Sequence, residues 1–260
     1  MGVSERFQGA NVLDAGRQSP YWGEHAARYE FASTFVERRR VLDIACGTGY
    51  GIGLLGKFAE FVVGIDVDPG AARAARQECG PSDSVLLADG LCLPFPDRTM
   101  DIVTSFETLE HLHQRPEFLS ELRRVLKDDG RLIMSTPNAN YTQPKNGKPA
   151  NPFHVFEYTP DELVEELAPI FTIERLLGQG LRDDFGIPPF EEAQHRLPGS
   201  LSTQGRLFGW KVLNKLPPAI RERFSSAMWG RPFYPTHADY IFEERSVQSA
   251  PVLVAICRPR

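Results

Sequence analysis

Short apolar runs alternate with amphipathic stretches along most of the chain. The runs predict seven strands, at residues 41–45, 61–66, 84–88, 101–106, 131–135, 171–176 and 252–257. Apolar residues at helical spacing predict helices at 21–36, 50–58, 69–78, 116–126 and 159–167. Because strands that alternate with helices form right-handed βαβ units, the pattern predicts an α/β fold with a doubly wound, mainly parallel, seven-stranded sheet.

Two stretches interrupt this alternation. Residues 137–152 are rich in Pro, Asn, Gly and Lys and predict a long loop, and such loops usually have a function. Residues 181–244 lie between the last two predicted strands and hold many prolines and aromatic residues, so they are too apolar for a free linker. We expect a core domain of residues 1–180 and 245–260, and an inserted substrate cap of residues 181–244 over the strand ends.

Composition narrows the classes of partner. The 260 residues carry a net charge of −5, which disfavours broad neutralisation of phosphates, so we expect no DNA partner and disfavour RNA. Four widely spaced cysteines (Cys46, Cys79, Cys92 and Cys257) form no CxxC pair, which favours buried, reduced thiols and a cytoplasmic location.

The first residues do not resemble a secretory signal, and no apolar run is long enough for a transmembrane segment. The sequence leaves the oligomeric state open.

The most informative motif runs from Val41 to Gly51, where an apolar strand enters a glycine turn and then a helix. Gly47 and Gly49 permit a tight turn and a close approach of the backbone to a ligand, at the carboxyl edge where open α/β sheets bind ligands. Asp43 lies within the strand, and a carboxylate there must be hydrogen-bonded or exposed to a ligand. This arrangement suits a cationic amino-acid ligand better than a pyrophosphate.

Two further acids follow predicted strands. Asp66 closes the second strand about twenty residues after the glycine turn, where an acid can accept both ribose hydroxyls of an adenosine. Asp89 ends the third strand and can accept a hydrogen bond from an exocyclic amine. The alternative for both is an ordinary turn acid.

Together these motifs resemble those of class I S-adenosylmethionine-dependent methyltransferases over about residues 21–179, most of all bacterial O-methyltransferases of sugars and secondary metabolites. Residues 101–103 and 124–130 also resemble this family, although Asp129 stands where the usual pattern has proline. The resemblance implies a Rossmann-like methyltransferase sheet and S-adenosylmethionine as the cofactor. A dehydrogenase is disfavoured because Ile52 occupies the third glycine position of its G-x-G-x-x-G loop.

The resemblance also implies a set of cofactor-binding residues. The glycine loop would hold the methionine part, Asp66 the ribose, Asp89 the adenine amine, and Phe106 would pass beneath the cofactor. Arg28, in an H-x-x-R-Y feature, could pair with the cofactor carboxylate or be a surface arginine. The full implied set is Arg28, Asp43, Ala45, Gly47, Gly49, Tyr50, Asp66, Val67, Asp89, Gly90 and Phe106.

Four candidate catalytic or metal-ligating residues follow the fourth and fifth strands. If a helix begins after the fourth strand, Glu107, Glu110 and His111 share one face, and His154 follows the later loop. Two carboxylates and two imidazoles can bind a divalent metal, and the set resembles the metal site of RNA 3′-terminal 2′-O-methyltransferases. It also resembles ubiquinone-pathway O-methyltransferases. The alternatives are a metal-free base, with His111, Glu107 and His154 as catalytic residues, or a purely structural cluster.

Three functions remain open from the sequence. The first is O-methylation of a sugar, glycan, secondary metabolite or lipid-linked small molecule. The second is RNA 2′-O-methylation with a divalent metal. The third is a non-catalytic cofactor-binding scaffold, which the acids Asp43, Asp66 and Asp89 disfavour.

Overall fold

The computed structural model describes residues 19–260, so the first eighteen residues, which the sequence assigns to the core domain, lie outside the described residues. Within that range eight strands form one sheet in the order β3-β2-β1-β4-β5-β8-β6-β7. The strands are β1 (Arg40–Ile44), β2 (Phe61–Asp66), β3 (Ser84–Leu87), β4 (Met100–Phe106), β5 (Leu126–Pro137), β6 (Phe171–Leu181), β7 (Tyr240–Glu243) and β8 (Val252–Pro259). β1 to β5 pair in parallel, and β8 is antiparallel to both β5 and β6. The predicted α/β class is confirmed, and β7 is a strand that the sequence did not predict.

Nine helices are present in the described part of the chain. They are α1 (Pro20–Ser33), α2 (Tyr50–Leu55), α3 (Pro69–Ala75), α4 (Arg115–Val125), α5 (Ala139–Thr142), α6 (Pro160–Leu167), α7 (Glu191–Gln194), α8 (Leu201–Asn214) and α9 (Pro218–Trp229). Their starts follow local chemistry. Asp68 caps α3 by accepting from the Ala71 N–H, and Thr159 and Glu162 form a reciprocal capping box at α6. No described helix is long and apolar enough to cross a membrane.

The central strands form the core. Leu42 of β1, Val103 of β4, Leu132 of β5 and Leu253 of β8 are all fully buried. Parallel strands that are covered on both faces require nearly continuous apolar sequence, which explains the runs that predicted them. The polar residues buried among these strands therefore stand out, because each needs a hydrogen-bonding partner.

The chain divides into two compact units. Residues 28–180 and 242–260 form the first, and residues 19–27 group with 181–241 in the second. The sequence placed 19–27 in the core domain instead. That the second unit acts as a substrate cap stays a prediction.

Two smaller expectations need correction. The predicted loop at 137–152 contains α5 and an antiparallel bridge between Lys145 and Lys148, so part of it is regular structure. All four cysteines are free thiols, but only Cys46 and Cys257 are buried, while Cys92 is exposed.

Candidate active site

The glycine loop after β1 takes three residues into the left-handed backbone region. Ala45, Gly47 and Gly49 have φ angles of 55°, 57° and 85°. A Cβ on Gly49 would lie 2.6 Å from the Cα of Ala75, whereas a Cβ on Gly47 would meet nothing within 4 Å. Left-handed backbone is costly for alanine, and such strain is concentrated at functional sites. The loop therefore leaves open space over Gly47, as a ligand-binding turn requires.

Asp66 lies beside this loop. Its carboxylate accepts hydrogen bonds from the Gly47 N–H at 3.0 Å and from the Asp68 N–H at 2.8 Å. The structure thus brings the first two predicted motifs together at the carboxyl ends of β1 and β2. Each carboxylate oxygen has a second lone pair, so Asp66 can still accept hydroxyl donors. The next residue, Val67, is largely exposed.

Asp43 is fully buried in β1. It accepts from the Thr104 hydroxyl at 2.7 Å and from the Tyr29 hydroxyl at 3.1 Å. Burial raises the pKa of Asp43 to about 7, the two hydrogen bonds oppose that rise, and the charge of Asp66 adds to it. Of the two sequence alternatives, a hydrogen-bonded acid or one exposed to a ligand, the structure shows the first.

Arg28 is buried rather than at the surface, so the surface alternative is wrong. Its Nη1 donates to Gln179 Oε1 at 2.9 Å and lies 3.9 Å from Glu107 Oε1.

Tyr50 is also buried, and burial raises the pKa of its hydroxyl well above the ordinary value.

Aromatic rings line the same region. Tyr29 packs edge-on against Tyr50, with ring centroids 5.1 Å apart, and against Phe106 at 4.9 Å. These contacts place Phe106, at the end of β4, close to the residues of the glycine loop and the preceding helix.

Asp89 and Gly90 follow β3. Asp89 is exposed and accepts from the Leu91 N–H at 2.9 Å, which fixes the carboxylate in a turn. A Cβ on Gly90 would lie 2.9 Å from the ring of Phe118. Gly90 therefore permits close packing, and Asp89 keeps accepting capacity for a ligand.

The segment after β4 differs from the expected helix. Glu107 has a φ of 52°, and a 3₁₀ turn forms only at Leu109–His111, so the predicted common helical face of Glu107, Glu110 and His111 is wrong. The left-handed turn directs Glu107 toward β5, where it accepts from the Ser135 hydroxyl at 2.6 Å.

Glu110 is fully buried beneath this turn. Its Oε2 accepts from the Thr136 hydroxyl at 3.0 Å, and its Oε1 lies 3.9 Å from His111 Nε2. Burial raises the pKa of Glu110 well above its ordinary value, and the charge of Glu107 adds to the rise. Burial therefore favours the neutral form of Glu110, which lies next to an imidazole.

The tautomer of His111 follows from its partner. Nδ1 lies 3.0 Å from the Phe153 carbonyl oxygen, which can only accept, so Nδ1 carries the proton. In the neutral ring Nε2 then has the free lone pair, and about a third of the side chain is exposed to solvent. A partly exposed imidazole with this tautomer can accept a proton at Nε2.

His154 is held from both sides. Nδ1 lies 2.6 Å from Glu157 Oε1, and Nε2 lies 2.9 Å from the Asn151 amide nitrogen, which donates to it. Burial raises the pKa of Glu157, but the hydrogen bonds from His154 and Thr142 outweigh it and lower the pKa overall. His154 packs edge-on against His111, with ring centroids 4.9 Å apart.

The predicted metal set is only partly assembled. Among the described residues, ligand atoms of Glu110, His111 and His154 lie within 4.8 Å of one another, but Glu107 is not part of that group. Both ring nitrogens of His154 are engaged by Glu157 and Asn151, and Glu110 has a raised pKa. A metal would have to displace these hydrogen bonds and a proton, so the donor set fits a metal poorly.

Several contributing residues were missed from the sequence. Thr104 and Gln179 are ordinary strand residues. The contact of Thr104 with Asp43 depends on strand pairing, and the contact of Gln179 with Arg28 depends on the packing of α1 against β6. The sequence did contain a signal, in residue spacing, for two other contributing residues. Asn151 and Glu157 each lie three residues from His154, which is a spacing that brings side chains together in a tight turn.

The fold and the glycine loop are those expected of a class I S-adenosylmethionine-dependent methyltransferase domain, and comparisons with known proteins agree. Residues 42–134 match the family model described as a methyltransferase domain. The chain is 36% identical over 148 residues to a probable S-adenosylmethionine-dependent methyltransferase of Mycobacterium tuberculosis, covering 56% of this chain and 54% of that protein. The chain therefore contains a domain of this family, and the prediction from the sequence is confirmed.

Two further matches extend this result. Tocopherol O-methyltransferase of Arabidopsis thaliana is 36% identical over 104 residues, covering 38% of this chain and 30% of that protein. The N-methyltransferase NodS of Bradyrhizobium japonicum, solved with S-adenosyl-L-homocysteine, shares the fold with a TM-score of 0.54 at 17% identity, covering 67% of this chain and 85% of that one. The chain spans about half the length of the first curated relatives that it matches.

Proposed function

We propose that this protein transfers the methyl group of S-adenosylmethionine to a hydroxyl oxygen of a small molecule, of the sugar or secondary-metabolite type. The observation that carries the proposal is His111. Its tautomer is set by Phe153, its Nε2 lone pair is available, and the buried acid Glu110 lies 3.9 Å from that nitrogen. Methylation of a hydroxyl requires removal of a proton, and this nitrogen can accept one.

The residues present fit the cofactor. Open space over Gly47 allows a ligand to approach the backbone, and Asp66 beside it keeps lone pairs for ribose hydroxyls. Asp89 is exposed and can accept a hydrogen bond from an adenine amine. When bound, the cofactor supplies an electrophilic methyl group.

His111 and Glu110 would act as a pair. A proton that Nε2 accepts from the acceptor hydroxyl would make the imidazole positive, and Oε1 of Glu110, 3.9 Å from that nitrogen, would stabilise this charge. Phe153 holds the ring through Nδ1, so the accepting nitrogen keeps one direction. Glu157 and Asn151 position His154 against the His111 ring. Tocopherol O-methyltransferase, by its name, modifies oxygen, which supports a hydroxyl acceptor for this chain too.

The test begins with binding of S-adenosylhomocysteine by isothermal titration calorimetry, with EDTA and with added Mg²⁺. We expect micromolar affinity in both. Purified protein is then incubated with methyl-labelled S-adenosylmethionine and a panel of hydroxylated sugars and phenols, and labelled product is counted. We expect His111→Ala to lower turnover about 100-fold or more with unchanged S-adenosylhomocysteine affinity. The exposed neighbour variant His113→Ala serves as the control and should keep full activity.

Each other outcome has a definite meaning. A folded protein that does not bind S-adenosylhomocysteine would support the scaffold hypothesis. Activity that is lost in EDTA and restored by Mg²⁺ would support a metal at Glu110, His111 and His154, and product on RNA alone would exclude a small-molecule acceptor. Full activity of His111→Ala would show that the pair is structural.

A further inference from the structure

Helix α8, in the second unit, exposes an apolar stripe. None of its residues is buried. Leu201, Phe208 and Val212 are 93%, 71% and 48% exposed. Their spacing of seven and four residues places them on one face of the helix.

Helix α9 exposes a second stripe. Ile220, Phe224 and Met228 recur every four residues, and each is at least half exposed. They line an open groove together with Ala219, Arg223 and Ala227. Trp229, at the end of the helix, is also exposed. Contiguous apolar surface of this kind marks an interaction site more often than chance exposure.

Other faces of the two helices attach them to their own unit. Trp210 of α8 stacks on Phe233, with ring centroids 5.3 Å apart. The Tyr234 hydroxyl donates to Asn214 at 2.6 Å, and the buried Arg221 of α9 lies over the Tyr234 ring at 4.6 Å. These contacts use residues outside the two stripes. Packing within the unit therefore does not account for the exposed apolar residues.

The same segment carries an unusual charge. Residues 201–231 contain six Lys and Arg residues and one acid, so their net charge is +5, while the whole chain has −5. Four of the basic residues are exposed: Arg206, Lys211, Lys215 and Arg223. The one acid, Glu222, is half-buried and accepts from the Phe233 N–H at 3.1 Å.

Apolar stripes flanked by basic side chains match the surface of an anionic lipid bilayer. Apolar and aromatic side chains enter the boundary between headgroups and acyl chains, while Lys and Arg reach the headgroup phosphates. A second copy of this chain would bring two surfaces of charge +5 together. Free RNA would satisfy the charges but would leave the aliphatic residues Leu201, Ile220 and Met228 in water.

We propose that α8 and α9 form a docking surface for an anionic lipid bilayer, with Leu201, Phe208, Val212, Ile220, Phe224, Met228 and Trp229 in the interface. The surface lies within the second unit and is independent of the methyl-transfer chemistry proposed above. Docking of this type would hold the protein at a membrane surface without a spanning segment.

The test is co-sedimentation of the full chain with vesicles of phosphatidylcholine alone and of phosphatidylcholine mixed with phosphatidylglycerol. We expect binding at least about tenfold tighter to the anionic vesicles, weakening with added NaCl because the exposed charges are screened. On vesicle binding, the tryptophan fluorescence of Trp229 should shift to the blue and be quenched by brominated lipid. The variant Trp229→Phe shows how much of the fluorescence change comes from this residue. No binding, or equal binding to both vesicles, would overturn the proposal.

Two sets of variants separate the contribution of the apolar side chains to vesicle binding from that of the basic side chains. The triple variant Phe208→Ser, Phe224→Ser and Met228→Ser should lower vesicle affinity by about tenfold or more, since each change removes apolar area that the bilayer would bury. The control is Phe58→Ser with Leu87→Ser, which changes exposed apolar positions of the first unit, and it should leave vesicle affinity unchanged. Lys211→Glu with Lys215→Glu should abolish the preference for anionic lipid, whereas Lys57→Glu with Arg73→Glu, equal in charge change, should keep it.

Folding of every variant is checked by circular dichroism and by S-adenosylhomocysteine affinity, which does not depend on this surface. If vesicle binding is unchanged in the Phe208 and Phe224 set, the helices are not the docking surface. Loss of a dimer in that set, measured by analytical ultracentrifugation, together with no vesicle binding, would assign the surface to self-association instead. Failure of methyl transfer with intact vesicle binding would leave this inference standing.

Discussion

The hydroxyl of Thr104 donates a 2.7 Å hydrogen bond to the carboxylate of Asp43 across the parallel pair β1–β4. The register of the pair sets these two residues side by side. Tyr29 supplies a second donor to the same carboxylate. The centre of the sheet thus contains a buried acid whose hydrogen bonds only partly offset the cost of burying its charge.

Asp43→Asn should change how stability depends on pH. Because the pKa of Asp43 is about 7 in the folded state and 3.8 ordinarily, its contribution to stability is full below pH 4 and is lost as pH rises through 7. The wild type should therefore lose up to about 4 kcal/mol of unfolding free energy between pH 4 and pH 8 that the variant keeps. Urea unfolding of both proteins at several pH values measures this difference. The exposed Asp129→Asn is the control, and a variant that parallels the wild type would contradict the buried-acid account.

Alanine substitutions at the two loop glycines, Gly47 and Gly49, should have different effects on stability and on ligand binding. Gly49→Ala adds a Cβ 2.6 Å from Ala75 at a φ of 85°, so it should cost about 3 kcal/mol of unfolding free energy. Gly47→Ala meets no atom of the chain and should cost only about 1 kcal/mol. It should nevertheless weaken S-adenosylhomocysteine binding, because its methyl group enters the open space. Denaturation and calorimetry together check this, and unchanged affinity of Gly47→Ala would place the ligand elsewhere.

Asp66→Ala should weaken S-adenosylhomocysteine binding about 30-fold, because two ribose hydroxyls lose acceptors at about 1 kcal/mol each. Asp66→Asn keeps one carbonyl oxygen and should lose less. Calorimetric titration of the series would give this order if Asp66 binds the ribose. Equal affinity of all three proteins would show that Asp66 does not bind the ligand and that its role is to accept the hydrogen bonds from Gly47 and Asp68.

Glu110→Gln should be tolerated at pH 7. Burial raises the pKa of Glu110 well above its ordinary value and so favours the neutral acid, which glutamine resembles. The raised pKa means that Glu110 contributes its stability below its ordinary pKa and loses it as pH rises through the folded value. We expect a change of unfolding free energy within about 1 kcal/mol at pH 7, and an altered pH profile of turnover. A loss of several kcal/mol, with exposed Glu117→Gln unchanged, would show that Glu110 is ionised.

Local pattern was sufficient for the scaffold of the site. The apolar runs around Leu42 and Val103 predicted β1 and β4 because buried parallel strands need such runs. Gly47 and Asp66 could be recognised because turn geometry and strand ends act over a few residues. The helix expected at Glu107 failed for a tertiary reason: its carboxylate bonds to Ser135 of the neighbouring strand, and the chain turns there.

The sequence by itself determined the α/β class, the glycine loop and the acids at three strand ends, because these depend on short-range periodicity and backbone sterics. Tertiary structure alone decided which groups meet: Thr104 with Asp43, Gln179 with Arg28, and the Phe153 carbonyl with His111. Strand register sets the first contact, and the packing of helices and loops against the sheet sets the other two, which join residues 151 and 42 positions apart. Tertiary structure also raises the pKa values of Asp43 and Glu110, because a pKa responds to desolvation and to neighbours in space, and neither is encoded by spacing along the chain.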